Sequence, residues 1–462
     1  MKKAIISKSS SMAFNIKAKF MLINDAVKSF FLKFNGKKNQ QYLMFLGAAK
    51  VLFQIKTKMK FKTLMYCFFI CLTIVGCKKT ANVTVNPNLP EPPEVNANPN
   101  YPQFSWNKVP LYMHIRKNTA FTASELSYLA KFPLITLEKS TGFTTFGSTE
   151  DGILNAASAI KAINSNAKIL YYKNCVINWE NYKEDDAFMK ANPSAALTNA
   201  QGRIVTMSNG TTPFFDITQE NVRNYWLAHV KKITDSPNID GLFVDANIKV
   251  LVPGFFNALV GVTKQQAIRN SYFQMMTDMK AQLSKNNLII ANIIRVRPEF
   301  TDSGREFLNY FDGSYLEIFE PSLTSKTYET YLAAGIDAVQ KTAKEGKVIA
   351  MTLGVSDGST DDGLDPVFGN LTLTGEALTK RVDYLLALFL ICAEKYSYLN
   401  LHDGYNSITS GVFNKPLFPQ LERRLGKPKG PAVKNGFVYT RQFEFVDVTL
   451  DIKNKTSILT WK

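Results

Sequence analysis

The chain has 462 residues, 45% of them hydrophobic and 20% charged, which excludes a disordered tail protein and a collagen-like one. The formal net charge of +17 first reads as a nucleic-acid signal, but residues 1–76 hold 14 Lys against one acid, Asp25, and carry +13 of it. The remaining 386 residues carry only +4, so no nucleic-acid partner is expected of the folded part.

Taken in chain order, residues 59–77 come first. They join a short basic start, an apolar run of about a dozen residues and a small residue before Cys77. That length suits a signal-peptide core and is short for a permanent span. Ile74-Val75-Gly76-Cys77 resembles a bacterial lipobox, which implies lipidation at Cys77, a membrane partner through that anchor, and a place on the bacterial cell envelope. The alternative is a membrane-anchor helix with an incidental Cys. Met59 is expected to be the true start, with residues 1–58 a mis-assigned beginning; the alternative is a basic, membrane-binding extension. Residues 78–105, rich in Asn and Pro, read as a flexible tether. Five Cys, an odd count with no CxxC pair, indicate neither a disulfide framework nor a zinc ribbon. Cys175 and Cys392, in apolar contexts, read as buried thiols.

From residue 106 to 425 short apolar runs alternate with helical patterns. The runs are Val109–Ile115, Leu134–Glu138, Lys168–Asn174, Gly241–Asp245, Leu288–Ile294, Gly313–Phe319, Lys347–Leu353 and Tyr396–His402. Amphipathic stretches at Ala123–Lys131, Asp151–Ile163, Gln219–Ile233, Thr263–Ser284, Ser325–Lys344 and Gly375–Ala393 separate them. Eight such strands predict an α/β fold, a (β/α)8 TIM barrel, with a doubly wound open sheet as the alternative. No GxGxxG follows the first strand, which weakens a dinucleotide-binding version of that alternative. Within most runs one residue parity is aliphatic, as expected against the helices, and the other turns polar toward the C-terminal end, where barrel active sites lie. Residues 426–462 form a separate pattern, with strand-like segments in Phe437–Phe445, Val446–Ile452 and Thr456–Trp461. They predict a small antiparallel β appendage.

Asp245 and Glu317 each end an apolar run on the interior parity. Burying two carboxylates there is costly unless they are hydrogen-bonded or used, and glycoside hydrolysis uses such a pair, one protonating the leaving oxygen and the other attacking or activating water. The structural alternative is ion pairing with Arg295 or His114. Glu138, ending the second run, is a possible additional acid. His114 and His402 end the first and last strands, neighbours in a closed barrel, so they are expected in one pocket, binding sugar hydroxyls or, alternatively, a metal. The sequence has no HxH or HExxH, so no metal and no cofactor is the main expectation. Tyr112, Tyr171, Tyr172, Trp179 and Tyr315 are candidate sugar-stacking platforms. Asn247, Asn292, Arg295 and Asp403 add polar groups for a polyol. There is no GxSxG elbow and no P-loop.

Phe215-Asp216-Ile217, the helix carrying Val222-Arg223-Asn224-Tyr225-Trp226, and Asp240-Gly241-Leu242-Phe243-Val244-Asp245 resemble barrel glycosidases. Asp312-Gly313-Ser314-Tyr315-Leu316-Glu317 resembles their sixth-strand segment. Together with Leu425-Gly426-Lys427-Pro428 and Tyr439-Thr440-Arg441-Gln442-Phe443, residues 106–462 are most similar to the hypothetical glycoside-hydrolase-like barrel families, the fifteenth above all. They are more distantly similar to glycoside hydrolase family 114. The resemblance implies a glycoside hydrolase acting on a polysaccharide or oligosaccharide, with Asp245 and Glu317 as its acidic pair. Asn292 fits the Asn that often ends the fifth strand, although Ile293-Ile294-Arg295 follow where a Gly is expected. A non-catalytic glycan-binding lipoprotein and a metal-dependent barrel hydrolase are the alternatives.

Overall fold

A computed structural model describes residues 98–317, 319–320, 324–355 and 373–462. The leader, Cys77 and the tether up to residue 97 lie outside the described residues. Eight parallel strands follow one another in sequence order: β1 (Tyr112–Ile115), β2 (Leu134–Leu137), β3 (Lys168–Asn174), β4 (Gly241–Asp245), β5 (Leu288–Asn292), β6 (Gly313–Leu316), β7 (Val348–Gly354) and β8 (Ser397–His402). Parallel bridges from Leu111 to Leu399 and from Arg116 to Asn406 join the first strand to the last, giving a nearly closed TIM barrel. A doubly wound sheet would reverse its strand order part-way, and this one does not.

All six expected helices are present. They are α1 (Ala123–Leu129), α3 (Thr149–Ile163), α5 (Glu220–Thr234), α8 (Val262–Leu283), α9 (Tyr328–Lys344) and α10 (Gly375–Cys392). Their starts follow from local chemistry. Thr122 and Glu125 form a reciprocal capping box at α1, and Ser148 and Thr327 each accept a backbone N–H at the first turns of α3 and α9, satisfying donors a helix leaves open. Four shorter helices add to these: α2 (Phe143–Phe146), α4 (Lys183–Ala191), α6 (Asn247–Leu251) and α7 (Pro253–Val260).

Two strands begin with Asp-Gly, and the pair has a structural cause. The Asp240 carboxylate accepts the Ile169 N–H of β3 at 2.9 Å, and Asp312 accepts the Ile289 N–H of β5 at 2.9 Å. The following glycines admit the next strand. A Cβ on Gly241 would stand 1.9 Å from the Leu288 carbonyl oxygen, and one on Gly313 2.1 Å from that of Val348. Several strands stop earlier than the apolar runs. Beyond Asn292 the backbone leaves the ladder, with Ile294 N–H bonding Ser314 Oγ and Arg295 N–H bonding the Ser303 carbonyl.

The C-terminal residues form an antiparallel sheet of β9 (Val433–Asn435), β10 (Val438–Gln442), β11 (Val446–Asp451) and β12 (Thr456–Trp461), in the order β12-β11-β10-β9. Along β11, Val446, Val448 and Leu450 are buried and alternate with half-exposed residues, the period of a sheet covered on one face. That face packs on α10. Arg441 passes through the contact to the carbonyls of Leu390 and Ala393 and to Glu394, so its buried charge is paired.

Candidate active site

The polar ends of β3, β4, β5 and β6 converge at the C-terminal mouth of the barrel. Asp245 ends β4, Asn292 ends β5 and Glu317 directly follows β6. Because Asn292 stands on the strand between the two acids, its single amide nitrogen reaches both. Nδ2 lies 3.3 Å from Asp245 Oδ1 and 2.9 Å from Glu317 Oε2. The other oxygen of Asp245, Oδ2, accepts the Tyr172 hydroxyl at 2.5 Å. Burial, and next the Asp245 charge, push the Tyr172 phenol well above its ordinary range, so the phenol keeps its proton and donates it. Glu317 Oε2 also receives Arg295 Nη2 at 2.9 Å, while Glu317 Oε1 has no protein partner among the described residues.

A second layer fixes this arrangement. Asn247, fully buried, donates its amide to the carbonyls of Val244 at 2.8 Å and Asn292 at 3.3 Å, and accepts the Tyr272 hydroxyl of α8 at 2.7 Å. The ends of β4 and β5 are thereby tied together. Ala246, between Asp245 and Asn247, holds a left-handed φ of 66°. That conformation costs a non-glycine residue about 1–2 kcal/mol and turns the chain sharply at the carboxylate.

Asp245, Glu317 and Asn292 share one cavity of about 130 Å³ with Glu138, His114 and Tyr315. Tyr172, Phe243 and Tyr405 complete its aromatic wall, and Arg116 and Lys139 its basic side. Glu138 bonds to Lys139 and lies 3.6 Å from Arg116 Nε. Burial alone would raise its pKa, but Lys139, Arg116 and His114 outweigh burial and hold it at about 2. Glu138 is therefore a fixed anion in the pocket and no proton donor near neutral pH. Lys139 also lies over the rings of Tyr172 and Trp179, at 5.0 and 5.2 Å. Trp179 thus borders the pocket through Lys139.

His114 faces the cavity from its floor. Its Nδ1 is 3.0 Å from the Tyr112 hydroxyl, which donates its one hydrogen to Thr136 Oγ1 at 2.8 Å. His114 Nδ1 is consequently the donor and Nε2 an acceptor. Burial lowers its pKa to about 4 against the opposing pull of Glu138, so the ring is neutral. His402 stacks beneath Tyr405, ring centres 4.7 Å apart, and burial with His114 nearby lowers its pKa to about 3. Its Nδ1 accepts the Gly404 N–H. Among the described residues no group of three or more His, Cys, Asp or Glu is placed to hold a metal ion.

The remaining expected ligands stand elsewhere. Tyr112 lies below His114 as its partner. Tyr171 has the parity opposite to Tyr172 and bonds His229 of α5 at 3.0 Å on the helix side of the barrel. Asn247 is sealed in the supporting layer. Asp403 accepts Ser410 Oγ and the N–H groups of Gly411 and Val412, so it organises the loop after β8. Arg295 touches Glu317 without lining the cavity. Extending the β1 parity by one step (Tyr112, His114, Arg116) would have found Arg116. Lys139 and Tyr405 stand past strand ends, where alternation stops being informative.

The model of hypothetical glycosyl hydrolase family 15 matches residues 161–446. No curated protein sequence matches the chain. Among solved structures, a noncanonic maltogenic alpha-amylase from Thermotoga neapolitana is similar, with 10% identity, 74% of this chain and 86% of that one covered, and a TM-score of 0.45. The galactosidase domain of an alpha-galactosidase-sucrose kinase gives 11% identity, 74% and 46% coverage and a TM-score of 0.42. An alpha-galactosidase from Geobacillus stearothermophilus gives 9% identity, 74% and 47% coverage and a TM-score of 0.42. The chain spans about half the length of these two galactosidases. These matches lend no support to the more distant resemblance to glycoside hydrolase family 114.

Proposed function

The chain belongs to hypothetical glycosyl hydrolase family 15, and from that premise we propose that it hydrolyses a polysaccharide or oligosaccharide with Asp245 and Glu317 as its working carboxylates. The observation that carries the reading is the pair itself. Two acids on alternate strands share one amide donor in an aromatic-walled pocket at the end of the barrel where catalysis occurs. Tyr172, Phe243, Tyr315 and Tyr405 line the pocket with aromatic carbon, and neutral His114 offers an acceptor to a hydroxyl. Glu138, Arg116 and Lys139 supply the remaining charged groups of the lining.

The lipobox-like Ile74-Val75-Gly76-Cys77 supports a lipid anchor at Cys77 and a place on the bacterial envelope. Loss of labelling by a palmitate analogue in Cys77→Ala tests that part.

The activity is tested by incubating the protein with a broad polysaccharide panel beside Asp245→Asn and Glu317→Gln. Sugar release by the wild type that falls by about 10²-fold or more in each variant supports the assignment. Equal release by all three would leave a glycosidase whose machinery is elsewhere. Saturable glycan binding without release, unchanged in both variants, would mark the barrel as a binding module.

A further inference from the structure

Resting on the hydrolase reading above, we infer that the enzyme works with retention of anomeric configuration, through a covalent sugar ester on Asp245 with Glu317 as acid and then base. The geometry of Asn292 decides between the two hydrolytic routes. Its Nδ2 is 3.3 Å from one carboxylate oxygen and 2.9 Å from the other, so those oxygens are at most about 6 Å apart. With one amide hydrogen directed at each, the angle at nitrogen is near 120° and the gap closes to about 5.4 Å. Inverting enzymes hold their carboxyls roughly 6.5–9.5 Å apart to fit a water between acid and base, whereas retaining enzymes hold them at about 5–5.5 Å. The spacing of the two amide-bridged oxygens falls in the range that suits direct attack.

The oxygens also differ in occupancy, and this assigns the roles. Both oxygens of Asp245 accept hydrogen bonds from groups that keep their protons, Tyr172 on Oδ2 and Asn292 on Oδ1. Those two donors fix the plane of the Asp245 carboxyl at the end of β4, as a nucleophile's must be fixed. Glu317 takes both its donors, Asn292 and Arg295, on Oε2. Its Oε1 is the one carboxyl oxygen of the pair without a protein donor among the described residues, which leaves it open to meet the departing oxygen. In the first step an Asp245 oxygen bonds to the anomeric carbon as the glycosidic C–O bond breaks. The departing oxygen keeps that electron pair and takes the proton from Glu317 Oε1, and the Arg295 guanidinium compensates the new charge. In the second step water attacks the anomeric carbon and gives a proton back to Glu317 Oε1. The ester bond breaks with its electron pair returning to Asp245. An alcohol in place of that water would give a new glycoside, so glycosyl transfer to alcohols is a further activity of the site.

The test uses p-nitrophenyl α- and β-glycosides of hexoses and hexosamines, followed by proton NMR in buffered methanol–water. The inference expects the first-formed sugar to keep the substrate's configuration and a methyl glycoside of that same configuration to accumulate. Sodium azide is then added to Glu317→Ala and Asp245→Ala, each checked for a wild-type thermal melt. Glu317→Ala should yield a glycosyl azide of retained configuration, and Asp245→Ala one of inverted configuration. Inverted sugar and no methyl glycoside from the wild type would overturn the inference while leaving a hydrolase. Azide products exchanged between the two variants would overturn the roles. Turnover of neither the aryl glycosides nor the polysaccharide panel would overturn the hydrolase reading and the inference with it.

Discussion

Acidification should unfold this protein earlier than its size suggests, because all three of its histidines, His114, His229 and His402, are buried and held neutral. Burial lowers the pKa of His114 to about 4 and of His402 to about 3. Burial first, then Lys173 and Lys232, push His229 down as well; the nearby carboxylates of Asp185 and Glu184 are already paired with those lysines. An unfolded histidine titrates near 6.5. Between pH 6.5 and the depressed native values the unfolded chain binds protons that the native chain refuses, so stability falls as pH falls. From pH 7 to pH 5 His114 and His402 each remove about 2 kcal/mol, together about 4 kcal/mol, and His229 acts in the same direction. That is a large part of the stability of an ordinary domain, about 5–15 kcal/mol. Glu138 acts lower down, its contribution being complete above pH 4.5 and lost as pH falls toward about 2. Urea unfolding at pH 7, 6 and 5 and constant ionic strength, followed by fluorescence, measures the slope. Unfolding free energies at pH 7 and pH 5 that agree within about 1 kcal/mol would refute the reasoning.

Three further perturbations probe the site and its scaffold. Tyr172→Phe removes the hydroxyl bonded to Asp245; a hydrogen bond to a charged group is worth about 1.5–3 kcal/mol, so steady-state kinetics should show kcat reduced by roughly 10- to 100-fold. Asp403→Ala leaves Ser410 Oγ and two backbone N–H groups without their acceptor. It should lower unfolding free energy by about 2–3 kcal/mol with KM unchanged, and a raised KM would return Asp403 to the substrate-binding set. Gly241→Ala would bring a Cβ to 1.9 Å from the Leu288 carbonyl oxygen and should cost about 3 kcal/mol or more; a melt within a degree of the wild type would contradict the close strand approach.

The barrel was legible because its eight strands are short apolar runs with turn chemistry between them, and five of the six expected helices bury wide faces. Helix α4 escaped because Lys183–Ala191 is mostly charged and buries only Asp185 among its nine residues, leaving no apolar stripe to read. Helix α7 begins Pro253-Gly254, a pair that reads as a turn. At the site, parity was the reliable signal. It put Asp245, Asn292 and Glu317 on the interior side, and applied to β3 it would have separated Tyr171 from Tyr172. Composition was the poor signal, since Asp403 is polar and follows a strand yet turns to hold its own loop. Asn292 illustrates what alternation cannot convey. Its position was readable, but one amide joining two carboxylates is a matter of ångströms.

The central claim is that Asp245 and Glu317 act as one unit, and the double variant tests it most directly. Residues that cooperate in a single chemical step lose their effects non-additively. The rate of Asp245→Asn with Glu317→Gln, measured on the wild-type substrate beside each single variant, should therefore be about as slow as the slower single and no slower. Losses that multiply in the double variant, or either single variant turning over at the wild-type rate, would contradict it.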